Sequence, residues 1–226
     1  MSDGVVRFSV TERALHWTFA IGYLALLASG LPLMLPALRG WIRGYTPAVG
    51  LRLHLAAAVL WLAGTFAVFV AGDRRRLAAT WRDLTGFARE ELAWLARFPR
   101  WLVARGGDRA RLDRTVGRFN AGQKLNVVFT VLTSVLLLVT GVLLTPVGGG
   151  AVVADLVTGA GTGPRWLTVH RWITLAVLVP LAGHVFLAAF HPATRHALHG
   201  MLSGRVDADW AAAHHPRWRR DDRETA

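Results

Sequence analysis

The chain has no cysteine and only one lysine, Lys124, among its 226 residues. The missing cysteines exclude disulfides, thiolate zinc sites and an iron–sulfur cluster held by this chain. Acidic residues are also scarce, with 14 Asp and Glu against 26 Lys and Arg, so the formal net charge is +12. A chain this basic that is also 53% hydrophobic, with a mean hydropathy of +0.37, matches neither an ordinary soluble domain nor a disordered tail.

Four stretches that nearly lack charge are long enough to cross a membrane, which takes about 20 apolar residues. The first three contain no Asp, Glu, Lys or Arg, and the fourth contains only Arg171. Backbone groups in lipid must be hydrogen bonded within the segment, so each stretch should be a helix. We predict an all-α membrane protein, a four-helix transmembrane bundle built as one domain over 1–226. Its spans are 14–37, 53–71, 125–147 and 166–190.

The basic residues are distributed unequally between the two sides of such a bundle. Of the 26, 21 lie in the N-terminal leader, the 72–124 connection and the tail 191–226, and 5 lie in the remaining segments. The positive-inside rule then places both termini in the cytoplasm and predicts a multi-pass protein of the plasma (inner) membrane. Membrane topology explains the basic residues, so no nucleic-acid partner is predicted.

The long connection between helices 2 and 3 shows a helical pattern of its own. Within 74–102, apolar residues recur every three or four positions, and arginines and acids fill the other positions. The recurring apolar residues are Leu77, Trp81, Leu84, Ala88, Leu92 and Leu95. This pattern predicts an interfacial amphipathic helix on the cytoplasmic membrane surface, where it could also cover a site at that end of the bundle.

Four histidines lie within the predicted spans, and their depths group them into two pairs. His170 and His184 lie on one face of helix 4, separated by a rise of about 21 Å. With the orientation above, His54 shares the outer depth of His170, and His16 shares the inner depth of His184. Zinc or copper would need three or four clustered ligands. Two pairs of imidazoles instead fit two haem b groups, each held by two axial nitrogens in an apolar slot.

Further residues are candidates for the same sites. Four glycines in the spans could make room for a flat macrocycle or serve ordinary helix packing: Gly22, Gly30, Gly141 and Gly183. Four arginines lie at the right levels to contact haem propionates: Arg13, Arg52, Arg171 and Arg195. His191 lies on nearly the same helix face as His184 and is a rival inner ligand. Pro180 lies between the two ligands of helix 4, where it could kink the helix.

Three stretches carry a resemblance to a known family: TERALHWT (11–18), GRFNAGQKLN (117–126) and DWAAAHHPRW (209–218). Together with the four histidines, they resemble the cytochrome b (gamma) subunit of membrane-bound respiratory formate dehydrogenases. The resemblance covers nearly the whole chain. It implies two haems b, paired as the depths suggest, and a quinone pocket beside the inner haem. The implied quinone-binding residues are Asn120, Ala121, Gly122, Gln123 and His184, where a helix-capping Asn is the simpler interpretation of Asn120.

The resemblance also implies partners and a role in anaerobic respiration. Electrons would pass from a molybdenum- or tungsten-containing catalytic (alpha) subunit through an iron–sulfur (beta) subunit to the outer haem, the inner haem and then menaquinone or ubiquinone. The chain would have no catalytic residue of its own for formate oxidation and would anchor the complex in membrane lipid.

Two alternatives remain open at this point. The first keeps the dihaem cytochrome but gives it a thiosulfate or polysulfide reductase, or a hydrogenase, as partner. The second is a haem-free membrane anchor or proton-conducting subunit that uses the histidines as a relay.

Overall fold

A computed structural model describes residues 4–145 and 163–218, which form mainly long helices. The predicted end of the third span at 146–147 and the last part of the predicted tail, 219–226, lie outside the described residues. Strands β1 and β2 pair in a two-stranded sheet. In chain order the elements are β1 (Val5–Val6), α1 (Val10–Met34), α2 (Pro36–Arg39), α3 (Pro47–Ala71), α4 (Arg74–Thr85), α5 (Arg89–Val103), α6 (Gly106–Leu112), α7 (Ala121–Leu143), α8 (Gly163–Val185), α9 (His196–Ser203), β2 (Arg205–Val206) and α10 (Ala208–His214).

The predicted fold class is confirmed, and four long apolar helices overlap the four predicted spans. Helices α1, α3 and α7 are long and apolar enough to cross a membrane, as is the segment Arg165–Phe190, in which α8 continues into a π-helical turn at Phe186–Phe190. Helix α8 continues through Pro180. Helices α1, α3 and α7 begin earlier than the apolar runs because Ser9, Thr46 and Asn120 cap them, and a cap side chain satisfies an otherwise unpaired N–H of the first turn.

The chain divides into two compact units. The first unit comprises Val6–Thr80 and His199–Arg205. The second comprises Met1–Val5, Trp81–Leu198 and Val206–Ala226. The expectation of one domain over 1–226 stays a prediction.

Helices α1 and α3 pack against each other in the first unit as an antiparallel pair. A Cβ on Gly22 would lie 2.2 Å from Cδ1 of Trp61, so only glycine admits this indole. Gly22 therefore serves helix packing. Phe19 adds an edge-to-face contact with Trp61, with ring centroids 4.9 Å apart. Beyond the other end of α1, the Arg39 guanidinium donates to the carbonyls of Pro32 and Leu33 at 2.8 and 2.7 Å, which satisfies carbonyl groups of the last helical turn.

The second unit has its core where α5 meets the start of α7. The buried cluster consists of Trp94, Trp101, Val116 and Ala121, with Leu187 among the residues packed against it. Helix α7 also packs against α8. This core contains two of the tryptophans from the connection that was predicted to lie on the membrane surface.

The segment 74–102, predicted as an amphipathic helix, forms two helices, α4 and α5, with a break at 86–88, and its position on the membrane surface stays a prediction. Ala88 is extended, and its backbone N–H donates to Glu91 Oε2 at 3.0 Å, so α5 starts anew there. The break also leaves the Gly86 carbonyl to accept a hydrogen bond from the Lys124 ammonium at 2.6 Å. The apolar periodicity correctly predicts helical structure in this segment. It does not reveal that the Gly86 carbonyl accepts a hydrogen bond from a side chain of α7.

Candidate functional site

His54 lies on α3 with its ring beside α1, in the first unit. Its Nδ1 atom is 3.0 Å from Ser29 Oγ, and this hydroxyl also donates to the Ala25 carbonyl at 2.7 Å. A hydroxyl has one hydrogen, and a carbonyl can only accept. A hydroxyl contact of this kind fits the tautomer of His54 with the proton on Nδ1 and the lone pair on Nε2. A Cβ on Gly30 would lie 3.0 Å from His54 Cε1, so glycine is what lets the ring approach α1 so closely.

His170 repeats this arrangement in the second unit. Its Nδ1 atom is 2.8 Å from Thr140 Oγ1, which donates to the Leu136 carbonyl at 2.7 Å. This contact likewise fits the tautomer with the proton on Nδ1 and the lone pair on Nε2. Gly141 follows Thr140 as Gly30 follows Ser29, and a Cβ there would lie 3.7 Å from His170 Cε1. Each predicted outer ligand thus faces a hydroxyl residue followed by a glycine on the neighbouring helix.

The surroundings of these two histidines suit the role of axial haem ligands. A metal-ligating imidazole usually donates its other ring N–H to an acceptor, which fixes the tautomer and the ring orientation. Ser29 and Thr140 are such acceptors. Sequence reasoning missed both residues, although a hydroxyl residue immediately before a glycine within an apolar helix was a visible signal.

The predicted inner ligands lie one in each unit. His16, on α1, is half-buried and makes an edge contact with Trp17, with ring centroids 5.3 Å apart. Trp17 is itself held by its indole N–H, which donates to the Met201 carbonyl at 3.0 Å. His184, on α8, is exposed, and the neighbouring Gly183 faces open space.

His191, the rival inner ligand, is buried within the second unit just after the π-helical turn. Its ring stacks on Trp101 with centroids 5.5 Å apart and an interplanar angle of 22°. Its Nε2 atom lies 3.4 Å from the Leu102 carbonyl, and its Nδ1 atom lies 3.4 Å from Thr194 Oγ1. Both nitrogens therefore face protein groups.

The four candidate propionate arginines differ in their surroundings. Arg13 donates to the Leu202 carbonyl at 2.6 Å and so ties the start of α1 to the end of α9. Arg52, Arg171 and Arg195 are exposed. Their contact with propionates stays a prediction.

The predicted quinone-binding stretch begins α7 with a reciprocal capping box. Asn120 Oδ1 accepts the Gln123 backbone N–H at 2.8 Å, and Gln123 Oε1 accepts the Asn120 backbone N–H at 3.0 Å. The interpretation of Asn120 as a helix cap is confirmed. The cap uses the amide oxygens, so the side-chain NH₂ groups of Asn120 and Gln123 are the ones that can donate to a ligand. Ala121 is buried, and a Cβ on Gly122 would lie 3.3 Å from Asn120 Oδ1.

Lys124 follows this box and forms a buried ion pair with α5. Its ammonium lies 2.6 Å from Glu91 Oε1, and both side chains are about 10% exposed. The pair fixes the first turn of α7, with its capping residues, against α5.

A polar cluster that sequence reasoning missed lies beside the same box. Asp113 is only 3% exposed. Its Oδ1 atom accepts the indole N–H groups of Trp101 and Trp94 at 2.8 and 3.3 Å, and its Oδ2 atom lies 3.3 Å from His214 Nδ1. No role for His214 was predicted from the sequence. The one visible signal was that His214 lies in the DWAAAHHPRW stretch that carries the family resemblance.

A charged group from α6 borders this cluster. Arg109 lies over the Trp101 ring at 5.0 Å from its centroid. Burial lowers the pKa of its guanidinium from the ordinary value, and the nearby Asp113 carboxylate acts in the opposite direction.

The sequence of this chain is similar to those of several known proteins. The formate dehydrogenase cytochrome b556(fdo) subunit of Escherichia coli K12 is 28% identical over 227 residues, which covers 99% of this chain and 95% of that protein. The nitrate-inducible formate dehydrogenase cytochrome b556(Fdn) subunit of the same strain is 25% identical, covering 97% and 92%. The formate dehydrogenase cytochrome b556 subunit of Haemophilus influenzae is 22% identical, covering 96% and 83%.

The model of the prokaryotic cytochrome b561 family matches residues 7–204, a range that contains all four predicted ligand histidines and the start of α7. Cytochromes b bind haem b, and the four apolar helices make this chain a multi-pass membrane protein. The chain therefore belongs to the prokaryotic cytochrome b561 family.

Proposed function

We propose that this chain is the dihaem cytochrome b subunit of a membrane-bound formate dehydrogenase. In this role it carries electrons from an iron–sulfur subunit to quinone at the cytoplasmic side and anchors the complex. The partners are the iron–sulfur subunit and the molybdenum- or tungsten-containing catalytic subunit. Relatives named as formate dehydrogenase cytochrome b subunits, aligned over nearly the full chain, support this choice of partner.

Two haems b are assigned to the four membrane histidines. His54 and His170 would hold the outer haem, and His16 and His184 would hold the inner one. The observation that carries this assignment is the matched contact between Nδ1 of each outer histidine and a helix hydroxyl, which fits ligation through Nε2. His184 is preferred to His191, because both ring nitrogens of His191 face protein groups.

When bound, haem b supplies reversible one-electron transfer. The residues of this chain determine where that transfer begins and ends. Ser29 and Thr140 keep the outer imidazoles in the Nδ1–H tautomer. The exposed arginines Arg52, Arg171 and Arg195, together with Arg13, carry the positive charge that would pair with propionates.

Quinone reduction is assigned to the start of α7. Asn120 and Gln123 would donate their side-chain NH₂ groups to a quinone carbonyl, and the ring would approach the backbone at Ala121 and Gly122, close to His184. The capping box supports this arrangement, because it orients both amides without using their donors. With both termini in the cytoplasm, as the distribution of arginines favours, this site would take its protons from the cytoplasm.

The haem assignment is tested by stoichiometry and by single ligand variants. Purified full-length protein should contain two haems b per chain in a pyridine haemochrome assay. His54→Ala or His170→Ala should leave one haem, and the remaining haem should still be oxidised by quinone. A single haem in the intact wild-type chain, or two haems in His54→Ala, would contradict the ligand assignment.

A further inference from the structure

Asp113 and His214 form an acid–imidazole pair that the functions above do not use. The two indole N–H groups donate to Oδ1 alone, so Oδ2 is left to face His214 at 3.3 Å. The two side chains differ in exposure, with 21% for His214 and 4% for Asp113. The imidazole therefore reaches solvent, whereas its carboxylate partner does not.

This pair lines a cavity that Asn120 and Gln123 also line. The cavity has a volume of about 30 Å³, and its other lining residues include Thr194 and Trp210. One water needs about 10–15 Å³ of such space and two to four polar partners. The cavity is therefore of a size and polarity suited to about two waters and too small for a quinone ring.

We propose that His214, held by Asp113, delivers protons to quinone through water in this cavity. The inference rests on the proposed quinone site at Asn120 and Gln123. His214 contacts Asp113 through Nδ1, so Nε2 is the nitrogen that exchanges protons with the cavity water. Asp113 acts as a positioning residue, because it orients the ring and balances its charge when both nitrogens are protonated.

This relay accounts for the protons that quinone reduction consumes. Reduction of a quinone to a quinol takes two electrons, which arrive through haem b, and two protons. For each O–H bond formed at a quinone oxygen, the bridging water gives up one proton and takes another as the N–H bond of protonated His214 breaks. The ring then regains its proton from cytoplasmic water. A positioned general acid of this kind typically contributes about 10²–10⁴-fold to a rate.

Other ionisable groups near His214 in the described part of the chain have different contacts. His215 directs Nδ1 to the Gly117 carbonyl at 2.7 Å. Arg109 and His191 both contact the ring of Trp101. His214 is thus the group that joins the cavity, the carboxylate and the surface.

The experiment uses the full-length, haem-loaded protein, reduced with dithionite and mixed with decylubiquinone in a stopped-flow spectrometer. His214→Gln should keep both haem spectra and bind decylubiquinone within about twofold of wild type, while haem reoxidation at saturating quinone slows by about 10²-fold. Asp113→Asn, whose amide oxygen still accepts the indoles, should also slow the reoxidation and retain the quinone affinity. Added imidazole should partly restore the rate of His214→Ala.

Two matched controls and one measurement independent of turnover complete the test. The exposed residues His199 and Asp209 lie outside the cavity lining, and His199→Gln and Asp209→Asn should reoxidise at the wild-type rate. In wild type, the reduced-minus-oxidised infrared spectrum recorded with quinone should contain imidazole bands that are lost in His214→Gln.

The outcomes separate the two proposals. Reoxidation of His214→Gln within about threefold of wild type between pH 5.5 and 8.5, or loss of quinone affinity alone, overturns the proton relay and leaves the quinone site intact. Wild-type protein with two haems that decylubiquinone does not reoxidise overturns the proposed quinone function and the relay with it.

Discussion

Ser29 and Thr140 illustrate, at the residue scale, how one hydroxyl decides what a membrane histidine can bind. Each hydroxyl lies within hydrogen-bonding distance of a carbonyl of its own helix, to which it can donate while it accepts from the imidazole. Without that acceptor, the ring could adopt either tautomer and rotate about its side-chain bonds. The proposed ligand role of His54 and His170 therefore depends on residues that coordinate nothing themselves.

Thr140→Val should raise the midpoint potential of the outer haem. Loss of a hydrogen bond to an uncharged group costs about 0.5–1.5 kcal/mol, and about 59 mV corresponds to a tenfold change for a one-electron couple. A rise of about 20–60 mV is expected, because the imidazole donates less electron density to ferric iron. Redox titration measures it. Thr133→Val is the matched control, since its hydroxyl bonds the Phe129 carbonyl in the same way, and an equal shift there would contradict the prediction.

Asn120 can be tested for quinone binding without losing the helix cap. Asn120→Asp keeps the capping oxygen but removes the NH₂ donor, so it should weaken quinone binding by about threefold to tenfold or more. Asn120→Ser keeps a capping hydroxyl and also removes the NH₂ group, so it should weaken binding similarly without adding charge. Both variants should retain two haems. Normal quinone affinity in both would limit Asn120 to its capping role.

At the scale of elements, the first turn of α7 is fixed by the ion pair between Lys124 and Glu91. Removing one partner of a buried pair leaves an uncompensated charge and costs about 3–5 kcal/mol. Lys124→Met should therefore lower the melting temperature of the detergent-solubilised protein by several degrees. Lys124→Met combined with Glu91→Gln should restore part of it, because the Gln carbonyl can still accept the Ala88 N–H.

The ion pair of Arg118 and Asp83 provides the control for that comparison, because its carboxylate lies at the surface. Its atoms lie 3.7 Å apart, and the side chains of Asp83 and Arg118 are 51% and 11% exposed. Surface pairs contribute about 0–1 kcal/mol, so Asp83→Asn should barely change the melting temperature. If Asp83→Asn and Lys124→Met destabilised the protein equally, burial would not be the reason for the stability of the Lys124 pair.

At the scale of the whole molecule, the distribution of arginines makes a prediction about topology. A reporter fused after Ala226 should behave as cytoplasmic, and one inserted near Gly150 should behave as extracytoplasmic. Both sites lie outside the described residues, so the test depends on the charge count of 21 against 5 and not on helix packing. The opposite pattern would reverse the assignment of outer and inner haems and move the quinone site to the other side.

The sequence alone was sufficient to predict the features that depend on composition and on local residue patterns. Four spans follow from long runs of apolar residues, because lipid leaves a backbone no alternative to the helix. The candidate ligands follow from histidines at matched depths. The cap at Asn120 was also predictable, since Asn followed three positions later by Gln is a local pattern that needs no distant partner.

Only the tertiary structure decided the features that need a partner far away in the chain. The break at 86–88 lies where Lys124, 38 residues later, takes the Gly86 carbonyl. Asp113 and His214 are 101 residues apart, so neither helical period nor local motif could join them. A hydrogen bond or ion pair between distant residues depends on the folded path of the chain, whereas helix formation in an apolar run depends mainly on neighbouring residues and the surrounding lipid.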